Sequence, residues 1–202
     1  MGTHPKYNPE NFGFDQHYGI SGAGSLYAPL NKENIIESRQ TWDFADFITW
    51  QVTNYYALEN GQNIIPENSE YLTDVFTKKA VDFIKTNKNN SFFLHLSHMA
   101  PNGPFQAQKK YYDQFSHIKD HNKRVYYAMI KNLDDSIGEI KNTLKQEGIA
   151  ENTLIIFTSD NGGATYTRAT DNSPYIGGKM SNFEGGTIVP MMIEWPKKIK
   201  PQ

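Results

Sequence analysis

A chain of 202 residues, 38% hydrophobic and 21% charged, can build one sizeable core or part of a larger domain. Its net charge of −2 gives no electrostatic reason for a nucleic-acid or anionic-membrane partner, and no apolar run approaches the length of a membrane span or a signal-peptide core. The absence of cysteine removes disulfides, thiolate metal sites and a cysteine nucleophile from these residues.

In chain order, the first 35 residues are rich in Gly, Pro, Asn and Tyr without a sustained period and read as surface loop. GFDQHYG at 13–19 is nevertheless too aromatic for a solvated linker. The stretch TWDFADFITWQVTNYYA at 41–57 fits either a packed surface or a sugar-binding wall, and over 41–66 the expectation is a short hairpin followed by a loop ending at Pro66. Ser69 reads as the N-cap of a helix on which Leu72, Val75, Phe76, Ala80, Phe83 and Ile84 recur at helical spacing, ended by KTNKNN. SFFLHLS at 91–97 is short, apolar and bounded by polar turns, the pattern of a buried strand.

A loop carrying Pro101 and Pro104 comes next, then a short helix near 107–116. A long amphipathic helix is expected from about 121 to 147, burying Val125, Ala128, Met129, Leu133, Ile137, Ile140 and Leu144, with Gly148 as its stop. NTLIIFTS reads as a second buried strand and TIVPMMIEW, 187–195, as a third in which Pro190 marks an edge or a break. This alternation predicts an α/β fold with a central, mostly parallel sheet flanked by helices. Both ends of the chain look cut, so the expectation is an incomplete domain, with 1–202 forming part of one domain.

In such sheets ligands gather beyond the carboxyl ends of the strands. Two strands end in candidate loops, HMAPNGPFQA at 98–107 and DNGGATYT at 160–167. Asp160 and Asn161 offer hard oxygen donors to a cation, and two glycines allow the backbone to fold tightly around it; the same four residues are also ordinary turn formers. In NSPYIGGKMSNFEGG, 172–186, Lys179 could hold an anion as a compact point charge or could simply be solvated.

The strings NTLIIFTSDNGG and NxPxxGGKxxxFEGGxxVPMxIxWP, in that order, resemble the C-terminal half of the sulfatase catalytic domain, a branch of the alkaline-phosphatase-like superfamily. YLTDVFTKKAVDFI, SFFLHLSHMAPNGPFQA and YYAMIKNLDDSIGEI are similar to the helix, strand, loop and long helix that precede them in that family, and GFDQHYG to its short aromatic turn. The opening MGTHPKYNPENFGFD is similar to the segment just after the family's GKWH motif, so the resemblance spans essentially the whole chain and is weakest over 20–66.

The resemblance implies a sulfuric ester hydrolase acting on a sugar or aryl sulfate, in the periplasm or outside the cell. It makes Asp160 and Asn161 ligands of one divalent cation, usually calcium, and Lys179 a sulfate contact, while Glu184 would hold its loop by hydrogen bonds. The chain departs from the family at Asn102, where a histidine is usual; an asparagine can bind but cannot shuttle a proton near neutrality. His98, just after the first strand, is expected to be a packed or capping residue. Asp134 and Asp135 are expected to be a surface or helix-packing pair. The formylglycine nucleophile of the family arises from a C/S-x-P/A-S-R string that these residues lack, so the chain alone is expected to be inactive. The alternatives are a phosphate or phosphonate ester hydrolase of the same superfamily and a non-catalytic module.

Overall fold

The computed structural model describes residues 5–20, 24–59 and 62–200; the opening residues 1–4 lie outside them. In chain order the elements are β1 (Tyr18–Gly19), β2 (Ile35–Ser38), α1 (Phe44–Val52), β3 (Ala57–Glu59), β4 (Gln62–Ile64), α2 (Leu72–Asn87), β5 (Phe105–Gln108), α3 (Lys109–Tyr112), α4 (His121–Gln146), β6 (Ile155–Thr158), α5 (Glu184–Thr187) and β7 (Met191–Glu194).

Helix α4 lies where the apolar period places it. Asp120 caps it by accepting the Lys123 N–H at 2.8 Å, and beyond its end Gly148 takes the left-handed conformation (φ 73°) that ends such helices. Val125, Ala128 and Met129 are fully buried, and they pack with Tyr27, Phe105, Ala107 and Tyr111 into the main core; each large apolar side chain there contributes about 1.5–3 kcal/mol by leaving water. Helix α2 packs along α4 and begins at Leu72, later than a Ser69 cap would give. Ser69 instead closes a 3-10 turn, Glu67–Ser69, and Tyr71 stands at the helix entry.

Strands β2 and β5 pair antiparallel beneath α4, with Ile36 opposite Ala107 and Ser38 opposite Phe105. The sequence pattern predicts loop at the start of β5, and a buried glutamine makes it a strand. Gln106 accepts the Tyr27 and Ala28 N–H groups at 2.8 and 3.2 Å, and donates to Ala28 O and Glu37 Oε1 at 3.2 and 3.1 Å. Its polar atoms are thus paired and its burial costs little.

The expected parallel sheet is not seen among the described residues, which hold three small sheets. Among the described residues every strand pair is antiparallel: β1–β3–β4, β2–β5 and β6–β7. Segment 91–97 and β6, both expected to be buried strands, alternate exposed and half-buried residues with none sealed from water; among the described residues 91–97 has no strand partner and β6 pairs with β7 alone. The local pattern of a strand specifies its faces; its neighbour depends on chain distant in sequence. Over 44–52 the structure has helix α1, ahead of the expected hairpin; Phe44, Phe47, Ile48 and Val52 stand at i, i+3, i+4 and i+8, a helical stripe that remains exposed among the described residues. The β3–β4 hairpin and the start of β7 just after Pro190 agree with expectation. Among the described residues no helix is long and apolar enough to cross a membrane.

Candidate functional site

Strand β6 delivers the first two site residues. The chain leaves it at Thr158, and Ser159 turns it by donating its hydroxyl to Asn161 O at 2.8 Å. Asp160 is exposed and its carboxylate has no hydrogen-bond or ion-pair partner among the described residues. Asn161 is half-buried. Its Nδ2 donates to Gly162 O at 3.0 Å, and no hydrogen bond reaches its Oδ1 among the described residues. Two side-chain oxygen centres are therefore free on consecutive residues.

Three loops then close on each other through glycine backbone. Gly162 N–H donates to Gly186 O at 3.0 Å, Lys179 N–H to Gly163 O at 3.1 Å, and Gly185 N–H to Ile176 O at 2.9 Å. A methyl group on Gly162 would overlap the Gly185 carbonyl, so this approach requires glycine.

At the centre stands Asn172, to which sequence reasoning assigns no role. Its Nδ2 donates to the carbonyls of Gly163, Gly177 and Gly185 at 2.9, 3.0 and 3.0 Å, while its Oδ1 accepts the Gly163 N–H at 3.1 Å. One amide thereby pins the Asp160 loop, the Lys179 loop and α5 together. The available signal is an asparagine opening a glycine-rich stretch, since its neutral, planar end both donates and accepts. Glu184 does not hold the loop as expected. It is exposed and its side chain makes no hydrogen bond among the described residues; Asn172 does that work from inside the cluster, where a carboxylate would face carbonyl oxygens.

Lys179 reaches the loop after 91–97. Its Nζ donates to Asn102 Oδ1 at 3.1 Å, and Asn102 Oδ1 also accepts the Gly103 N–H at 2.9 Å. Asn102 is fixed in turn by its N–H to Met99 O at 2.9 Å and by the Tyr27 hydroxyl, which donates to Asn102 O at 2.9 Å. The structure thus brings Asn102 to Lys179, and Lys179 to the loop that begins at Asp160 and Asn161. These residues lie on an open surface. A groove of about 670 Å³ lies elsewhere, between α2 and α4, lined by Lys85, Asp134, Asp135 and Lys141 among others.

The other candidates stay apart from this surface. His98 packs against the Phe76 ring, with Nε2 3.2 Å from Ser136 Oγ, and burial pulls its pKa down to about 4, so it is neutral at pH 7. Asp134 and Asp135 point outward beside Lys131, and the Lys131 ammonium holds the Asp135 carboxyl below the usual range. Among the described residues no three His, Cys, Asp or Glu side chains gather as a metal site. Asp160 and Asn161 could therefore hold only part of a calcium shell, which takes about 6–8 oxygens.

The family model described as Sulfatase matches residues 6–202. The N-acetylgalactosamine-6-sulfatase of Homo sapiens is 29% identical over 201 residues, covering 97% of this chain and 35% of that protein. The N-acetylgalactosamine-6-O-sulfatase of Bacteroides thetaiotaomicron is 34% identical over 146 residues, or 65% of this chain and 27% of its own length. A crystal structure of Ps i-CgsB in complex with k-i-k-neocarrahexaose superposes with TM-score 0.80 at 32% identity, covering 98% of this chain and 43% of that one. The chain spans about a third of the length of the curated relatives it matches.

Proposed function

The chain belongs to the sulfatase family and has its alkaline-phosphatase-like fold, and from that premise we propose that it forms part of a hydrolase that cleaves a sulfate ester on a glycan. One observation carries this reading to particular residues: the Lys179 ammonium sits against Asn102 Oδ1 at 3.1 Å, on the loop whose backbone is bonded to the loop of Asp160 and Asn161. A cation-binding oxygen pair and an anion-binding ammonium on adjoining loops suit an ester that carries negative charge on its non-reacting oxygens. The glycan is favoured over an aryl sulfate because most of the relatives are named for N-acetylgalactosamine sulfate, one being named an arylsulfatase, and a structural neighbour is in complex with k-i-k-neocarrahexaose.

In this reading Lys179 donates its N–H groups to the sulfate oxygens, and the charge that grows there as the S–O bond breaks is stabilised by a donor already in place. Asn102 orients that ammonium by accepting one of its protons, and can turn its own Nδ2 towards the ester. It binds and positions; it moves no proton. Asp160 and Asn161 would hold a divalent cation, calcium by family resemblance, through the free carboxylate and the free Oδ1, and that ion would neutralise sulfate charge. The nucleophile would come from residues outside these 202, as would the remaining ligands. Residues 1–202 are read as part of one catalytic domain, in keeping with the family match over 6–202, and the whole protein as periplasmic or extracellular.

The test uses the complete enzyme. We expect sulfate release from a sulfated galactose oligosaccharide and none from the matching phosphate ester. Lys179→Ala should lower kcat/KM about 100–1000-fold. Asp160→Asn should weaken calcium binding measured by calorimetry. Release of phosphate in place of sulfate, or calcium binding indifferent to Asp160→Asn, would sink the assignment.

A further inference from the structure

The aromatic segment at 41–57 divides in two. Trp50 and Tyr55 are buried in a core cluster with Leu26 and Leu72. Trp42 is 43% exposed, yet it is not loose. Its Nε1 donates to Tyr166 O at 3.3 Å, and the Arg168 guanidinium lies over its ring at 4.8 Å. Phe44 and Phe47, which follow in α1, are a stacked exposed pair with ring centres 6.4 Å apart.

Arg168 is the unusual member. It occupies the left-handed region at φ 59°, which an arginine rarely adopts, and its neighbours hold it there. Arg168 N–H donates to Thr165 O at 2.9 Å, the buried Asn122 of α4 donates to Thr167 O at 2.6 Å, and Ala169 is fully buried. The chain has three arginines. Arg39 pairs with Glu37 at 3.1 Å and Arg124 lies 3.9 Å from Asp113, whereas the exposed Arg168 side chain has no carboxylate and no hydrogen-bond acceptor among the described residues. A braced guanidinium with its donors free, stacked on a half-exposed indole, is suited to an anionic group attached to a ring with an apolar face.

The pair also lies close to the candidate site. Tyr166, which holds the indole, is three residues from Gly163, whose carbonyl accepts the Lys179 N–H. Three residues span at most about 11 Å even when extended, and the 3-10 turn Thr165–Thr167 shortens that.

We propose that Trp42 and Arg168 form a subsite for a second anionic sugar, so that the substrate is a multiply sulfated oligosaccharide or polysaccharide in place of a single sulfated sugar. This rests on the sulfatase reading and refines it. The indole receives the C–H face of a pyranose ring, and Arg168 binds that ring's sulfate or carboxylate through paired N–H donors.

The experiment compares the complete enzyme with its Trp42→Ala and Arg168→Gln variants on neocarrahexaose and on p-nitrophenyl sulfate. One lost charge-assisted contact should lower the hexasaccharide-to-aryl ratio of kcat/KM about 10–100-fold, mostly through KM. An unchanged ratio overturns the subsite, whether both activities fall together, as they would if another segment of the protein covered this patch, or neither moves. If the wild type hydrolyses neither sulfate ester, the sulfatase reading fails by itself. The subsite is then read by calorimetry with neocarrahexaose and its desulfated form. Sulfate-dependent binding lost in both variants supports it, and absence of such binding refutes it.

Discussion

The body around α4 and the glycine-loop region from β6 onward are held together by different physics. In the body, Tyr27, Phe105, Val125 and Met129 are sealed from water, and a buried polar residue such as Gln106 finds partners for its amide. In the loop region, Ile156, Met191, Met192 and Ile193 are exposed within these 202 residues, and the contacts the chain makes for itself there are backbone hydrogen bonds between glycines and those of one asparagine. The first region is stabilised by buried area, which is forgiving of shape. The second is stabilised by close approach, which is not. The two should therefore fail in different ways, under different substitutions and in different pH ranges.

The sharpest break is expected from Gly162→Ala in the complete enzyme. The added methyl has backbone, not a flexible side chain, in its path, so β6 and α5 must separate and the Asp160 loop shifts with them. A loss on the order of 4 kcal/mol is expected for such backbone strain. The readouts are the unfolding midpoint and sulfate-ester turnover, with the helical circular dichroism of α2 and α4 retained below the transition. Full activity with an unchanged midpoint would show that the loops do not meet through Gly162.

Next in size is Asn172→Ala. It removes one side chain but leaves the carbonyls of Gly163, Gly177 and Gly185 each short of a donor. Their partly buried setting puts the cost at about 2–3 kcal/mol. Hydrogen exchange should report it locally: faster exchange at the amides of Gly163, Lys179 and Gly185, with α4 unchanged. Uniform acceleration across both regions would mean that they are one cooperative unit.

How much could be read beforehand follows the same division. Helix α4 is legible nearly to the residue, because burial of one face leaves a 3.6-residue period and Asp120 and Gly148 mark its ends. Strand β6 and the strand after Pro190 are legible as apolar runs, but their antiparallel pairing is not, since register and partner are non-local. Helix α1 is legible in principle, since Phe44, Phe47, Ile48 and Val52 keep helical spacing, but the aromatic and β-branched residues of 41–57 equally suit a hairpin. Asp160, Asn161 and Lys179 stand out by residue type and by resemblance. That Lys179 would meet Asn102 across 77 positions, or that Asn172 would join three loops, is written in no window of sequence.

The smallest effect separates the regions by pH. His98 is neutral in the folded body, its pKa pulled from 6.5 to about 4 by burial against Phe76 and Ser136. The unfolded chain takes up a proton on this residue below about pH 6.5 and the folded chain only near 4, so unfolding gains protons in between. The stability from keeping His98 neutral is therefore complete above pH 6.5 and lost as pH falls towards 4, by at most about 3 kcal/mol. Asp171, in the loop region, has its carboxyl held below the ordinary 3.8 by the N–H and hydroxyl of Ser173. Its contribution is intact above 3.8 and lost only under more acidic conditions. Between pH 6.5 and 4, then, acid should loosen the body without loosening the loops through Asp171. Urea unfolding of the complete enzyme at about pH 7 and at about pH 4.5 should show a larger drop for the wild type than for His98→Gln, by about 2 kcal/mol. Parallel declines in the two proteins would mean that His98 already titrates normally in the folded state, and that burial does not set it apart from the groups around it.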